Sequence, residues 1–201
     1  MAAIFTNGGL TLIATALQTA SANVAITYVA IGTGAGTLSG AVTSGVPLTS
    51  LPLDATLPAN IGAGASLTVT DGTNSETVTC NGGASAGATS IPINSWTPAH
   101  NYAAHTTGVA PAPLAADTGL YNEMQRVSAN TGVAGASPGE SLNSGYFDGT
   151  QATAVYMQVG YVGGSTATAS ANTGTLIAED IQYWNHTLNA DSATFQLDST
   201  I

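Results

Sequence analysis

Ile4-Phe5-Thr6-Asn7-Gly8-Gly9-Leu10 opens a stretch that runs to Tyr28-Val29-Ala30-Ile31-Gly32-Thr33-Gly34, and its reading decides the fold. It reads as a turn, one short amphipathic helix, and a strand entering a glycine-rich loop. After the Asn7-Gly8-Gly9 turn, Leu10, Ile13, Ala14 and Leu17 fall at the spacing of one helical face, which is predicted to be buried. Thr6 or Asn7 can cap the helix by accepting from the free amides of its first turn. Val24, Ile26, Tyr28 and Val29 then favour an extended chain. No other stretch has strong helical character, so the expected frame is one helix followed by β structure.

Working outward, the loop from Gly32 to Gly45 leads into Leu48-Thr49-Ser50-Leu51-Pro52-Leu53, strand-like but broken by a proline that suits an edge. From Ala65 to Cys80, Leu67 and Val69 alternate with threonines, Asp71-Gly72-Thr73-Asn74 supplies turn residues, and Val78 and Cys80 resume the alternation. That pattern predicts a β-hairpin. Ser90 to Ile93 is a further short strand, with Trp96 and Tyr102 expected to close one end of a small barrel. Pro111-Ala112-Pro113 marks an exit, because these prolines resist both helix and sheet. Leu120 to Val127 fits a strand or one helical turn, and Asn130 to Ser144 reads as a loop. Strands are expected over Ala152–Val162, Leu176–Leu188 and Ala193–Leu197. The whole is a mainly β chain, an antiparallel β-sandwich or barrel with one short N-terminal helix and an inserted small β module. Residues 1–47 and 110–201 are assigned to a discontinuous core domain, and 48–109 to the insertion.

The opening segment resembles the start of a broad group of phage virion proteins, tail-fibre or tail-associated. These begin with a Thr-Asn-x-Gly-Leu turn, a short helix and a strand ending in Gly-Thr-Gly. Thr118–Ala129 carries a weaker echo of the same group, which implies a strand there. Residues 48–109 look like a small β module found within or beside phage structural proteins. The resemblance implies a place in a particle and no chemistry.

Composition bears on the partners instead. Hydrophobic residues make up 44% of the chain but charged residues only 6%, with no lysine, one arginine and a net charge of −10. An average soluble domain is roughly 25% charged. One arginine cannot form the basic patch that nucleic acid or anionic lipid requires, so neither is expected as a partner. A partner should be neutral or basic. Cys80, the single cysteine, is expected to be a small buried hydrophobe. No secretory signal is recognisable, and no apolar run approaches the ~18 residues of a membrane span.

Candidate chemistry is sparse. Gly135-Ala136-Ser137-Pro138-Gly139 spells the G-x-S-x-G nucleophile pattern, with Asp148 and His186 following, but its flanks read as loop. His100, His105 and His186 lack zinc-ligand spacing. Asp71, Asn74 and Glu76 offer oxygen ligands without the spacing of a calcium loop, and turn formation accounts for the first two. Glu179 and Asp180 are neighbours in a strand and face opposite ways, so they cannot form a glycosidase pair by themselves. Gly32-Thr33-Gly34 lacks the lysine and helix of a phosphate cradle and reads as a flexible contact loop. The lone cation, Arg126, is expected to pair with Glu123.

Taken together, these features predict a non-enzymatic virion structural protein on the particle exterior, with no metal or cofactor. The opening segment favours a tail-fibre or tail-associated component; a capsid decoration (cement) protein and a carbohydrate-binding or carbohydrate-cleaving module are the alternatives. The expected partners are other virion proteins (tail, baseplate or major capsid) and further copies of the chain, a homotrimer favoured. Candidate assembly residues are Phe5, Asn7, Gly8, Leu10, Ile13, Gly32, Gly34, Tyr146, Phe147, Tyr183 and Trp184.

Overall fold

A computed structural model describes residues 3–18, 25–134, 140–187 and 191–200. Strand accounts for 48% of the structure and helix for 6%. β1 (Ile4–Phe5) precedes the single helix α1 (Asn7–Gln18) and β2 (Ile26–Gly32). There follow β3 (Gly36–Thr37), β4 (Leu48–Pro52), β5 (Ser66–Thr70), β6 (Ser75–Thr79), β7 (Ser90–Trp96) and β8 (Gly108–Pro111). The chain ends with β9 (Glu123–Ser128), β10 (Asn130–Ala134), β11 (Glu140–Phe147), β12 (Ala154–Gly163), β13 (Thr175–His186) and β14 (Ala193–Thr200).

Two sheets make a sandwich. The larger has the order β1-β13-β12-β2-β9 and the smaller β10-β11-β14, with all pairings antiparallel. Between them lie Val29, Ile31, Val159, Tyr161 and Ala178 of the larger sheet and Phe147, Phe195 and Leu197 of the smaller. The sheets meet closely at Gly145, where an added Cβ would stand 2.5 Å from Cβ of Val29. A second cluster, running from Ala35 and Leu38 to Tyr102 and Val109, fills a smaller body built from the sheets β3-β8-β5-β6 and β4-β7. No sheet among the described residues closes into a barrel. Trp96 and Tyr102 accordingly close none; their rings, 6.0 Å apart, pack within the second cluster.

The hairpin forms as β5–β6, in register from Ser66 opposite Thr79 to Thr70 opposite Ser75. Its turn is held by Asp71, whose carboxylate accepts from the amides of Thr73 (2.9 Å) and Asn74 (2.7 Å). The expected loop over Asn130–Ser144 is corrected: its flanks are β10 and β11, while 135–139 lie outside the described residues. The pairing that makes β11 a strand comes from β14, distant in sequence, so local turn residues did not reveal it.

The helix is capped by Thr6, whose hydroxyl oxygen accepts from the Gly9 amide at 3.0 Å. The same hydroxyl donates to the carbonyl of Leu176, tying the cap to β13. The buried face differs from the expected one by about one residue. Gly9 is buried, Leu12 and Ile13 are half-buried, and Leu10 and Ala14 are exposed. The reason is Gly9 itself: a Cβ there would fall 2.3 Å from the Ile177 carbonyl oxygen, so only glycine lets the helix lie this close to β13. Gly9→Ala should therefore cost about 1–3 kcal/mol of stability through overpacking, although alanine is ordinarily the better helix former. Leu10→Asp should change stability by no more than about 0.5 kcal/mol. Denaturant unfolding of the two variants checks both values; a reversed order would place the helix face wrongly.

Candidate functional site

Alternation along β13 sends Glu179 and Asp180 to opposite faces of the larger sheet. Glu179 stands opposite Gly160 and Asp180 opposite Val159. The Glu179 face is the one turned away from the three-stranded sheet. There a cavity of about 220 Å³ lies between β12, β13, the segment 111–121 and the stretch 60–65 of the second body. Ile61, Ala65, Pro111, Ala112, Leu114 and Tyr121 give it apolar walls, and Asn60, Asp117, Gln158 and Glu179 supply its polar groups. Leu114, at 60% exposure, brings the cavity to the surface.

These polar groups are held from behind. Gln158 accepts from the Tyr121 amide at 3.1 Å, and Asn60 accepts from the Ala86 amide at 2.8 Å. Tyr121 donates its hydroxyl to the Ala59 carbonyl, which fastens the segment to the second body. Asp117 closes a tight turn by accepting from the Leu114 amide at 2.7 Å. Glu179 is 1% exposed, and neither of its carboxyl oxygens meets a hydrogen-bond donor. Burial, and then the neighbouring Asp117 carboxylate, push its pKa up to about 9. Glu179 is thus the protonated member at neutral pH and supplies the hydrogen that the contact with Asp117 needs.

The residues singled out from sequence are placed elsewhere. Asn7 is exposed and donates its amide to the Ala115 carbonyl at 2.6 Å; Phe5 packs on the sandwich core. Gly8 lies against Thr175, an added Cβ being 2.9 Å from its methyl group. Gly32 and Gly34 do not form a flexible contact loop. A Cβ on Gly32 would meet the Asn122 carbonyl at 2.6 Å, and Gly34, at φ +60°, is pressed on Ala110. Phe147 and Trp184 are core residues with rings 6.3 Å apart, so neither offers an outer surface. Tyr183 contacts the second body, donating to the Thr106 carbonyl at 2.7 Å. Tyr146 is 61% exposed.

The other chemical candidates do not converge. Glu76 turns away from Asp71 and binds the Trp96 indole (3.0 Å), the amides of Ala99 and His100, and the Tyr102 hydroxyl. Ser137 lies outside the described residues; His186 is buried beside Trp184, its Nε2 3.2 Å from the Gln151 carbonyl. Asp148 accepts from Thr150 and Gln151 of its own turn. Among the described residues no group of three or more potential ligands could hold a metal ion. Arg126 pairs with Glu123 through one guanidinium edge, Nε and Nη2 donating to its two carboxylate oxygens, while Nη1 donates to the Thr173 carbonyl at 2.8 Å.

The cavity's carboxyl pair was not found by sequence reasoning, since Asp117 and Glu179 are far apart in the chain. The one signal was a Glu-Asp dipeptide within the apolar run Leu176–Ile181. No family model, curated protein or solved structure matches the chain.

Two predictions follow from these charges. Arg126→Ala would leave Glu123, with its side chain 1% exposed, as an unpaired buried charge and should cost about 3–5 kcal/mol, read by denaturant unfolding. For Glu179 the folded state keeps a proton up to about pH 9 that the unfolded chain loses near 4.5. Stability from this group is full below pH 4.5 and falls as pH rises toward 9, by on the order of 1 kcal/mol per unit. Unfolding measured across that range should show the slope in the native chain and a flatter one in Glu179→Gln; equal slopes would refute the assignment.

Proposed function

We propose that the chain is a non-enzymatic structural protein of a bacteriophage particle, a tail-fibre or tail-associated component on the exterior. The observation that carries this reading is that the resembling segment works as one packed unit. Thr6 joins helix cap to sheet, Gly9 permits contact with Ile177, and Gly32 permits contact with Asn122. That these residues each have structural work at their own positions supports reading the likeness as one of fold. The lysine-free, weakly ionic surface supports an external place and disfavours contact with packaged DNA.

Self-assembly, with a homotrimer favoured, is supported by β14. Its outer edge has no partner among the described strands, and exposed edges of this length are ordinarily protected. A capsid decoration protein is the second reading. It is favoured by the described strands all pairing within compact sheets, with no extended shaft. A carbohydrate groove lined by exposed rings finds less support, because Phe147, Tyr156, Tyr161 and Trp184 are all buried.

Antibody–gold labelling of intact particles from a phage encoding this chain tests the proposal. Gold at the tail is expected. Gold over the head would establish the decoration role instead, and unlabelled particles would overturn the virion reading.

A further inference from the structure

We propose that the cavity at Asp117 and Glu179 receives a primary alkylammonium group, namely a lysine side chain of a partner protein. This rests on the virion reading only for the partner's identity. The first ground is an acid pair without a cation: the chain's only arginine is engaged with Glu123, and no lysine exists in the sequence. Asp117 and the buried Glu179 therefore line one cavity with no cation of the chain's own to share it. The second is shape. The apolar walls of Ile61, Pro111, Ala112 and Leu114 suit a four-carbon stem, and Asp117 and Glu179 line the same cavity to meet its ammonium. The third is the mouth, where exposed Leu114 offers an incoming protein surface an apolar contact. A second copy of this chain carries no lysine to supply the group.

The groups facing Glu179 can be stated from each side. The 111–121 segment contributes Asp117 and Tyr121, β12 contributes Gln158 and Gly160, the second body contributes Asn60, and β1 places Ile4 opposite it. Asp180 faces the other way, toward Tyr161. Asp117 is therefore the acid that shares the site. An ammonium favours the ionised form of Glu179, so its binding releases a proton and strengthens as pH rises from 6 to 8.

Calorimetric titration of the full chain with n-butylammonium, against n-butanol and glucose, decides the matter. The ammonium should bind at least tenfold more tightly than butanol, with affinity increasing between pH 6 and 8. Asp117→Asn and Glu179→Gln should each weaken it tenfold or more, and Glu179→Gln should remove the pH dependence. Equal binding of butanol, preference for glucose, or folded variants that bind as the native chain would each overturn the site. If a variant fails to fold, the three-ligand comparison and the pH series on the native chain decide alone. Carbodiimide treatment of intact particles should join Asp117 to a lysine of another protein; ammonium binding without that link would overturn the lysine source. Loss of ammonium binding with gold still on particles removes this inference alone, and ammonium binding with unlabelled particles removes the virion reading alone.

Discussion

The ladder between β12 and β13, from Ala154 opposite His186 to Gly163 opposite Thr175, places the residues of both faces of the larger sheet. One face supplies Val159, Tyr161 and Ala178 to the sandwich core. The other carries Gln158, Gly160 and Glu179 toward the second body. β13 also receives β1 on its free edge and the helix across Ile177, so the N-terminal segment completes a sheet already set by this pair. Register shifts at Tyr156/Gln158 and Tyr161/Val162 change which side chains share a face, and they bracket the stretch that faces Glu179.

Scarcity of cations then leaves three of the acids, Glu123, Glu76 and Glu179, with three different solutions. Glu123 takes the only guanidinium and uses it to fix β9 to the carbonyl of Thr173. For Glu76, burial would raise the pKa, but the Ala99 amide, the Trp96 indole, His100 and the Tyr102 hydroxyl together hold it below the usual range. An acid with that many donors stays ionised and organises the loop around it. Glu179 has no cation, and burial beside Asp117 outweighs the nearby Leu114 amide, so it keeps its proton instead. The contrast lies in the local donor count, since all three belong to one weakly charged chain.

Sequence made the local features legible. The alternation of Leu67, Val69, Val78 and Cys80 around Asp71–Asn74 led directly to the β5–β6 hairpin, because turn chemistry and strand period act over a few residues. Strands β12, β13 and β14 were legible for the same reason. The helix was placed correctly but its face was not, since periodicity weights Leu10 above Gly9 while close packing on Ile177 selects the residue without a side chain. Phe147 and Trp184 looked like interface rings because alternation does not say that both faces of a sheet are covered. The acid pair was illegible: it arises from the path of residues 111–121 across the sheet, a tertiary fact with no local trace beyond two acids in an apolar run.

A weakly ionic surface and an acidic cavity are compatible within one protein once screening is considered. Exposed charge pairs lose much of their attraction over about 8–10 Å at ordinary salt, whereas buried ones are screened much less. With charged residues at 6% of the chain, contacts through strand edges and apolar residues such as Leu114 and Tyr146 would scarcely respond to ionic strength. A cation seated on Asp117 and Glu179 would gain its attraction behind low-dielectric walls, where dissolved salt has little access. An interface with its few electrostatic contacts in a recess, and hydroxyl and backbone groups on the outer surface, would stay both specific and indifferent to the salt around it.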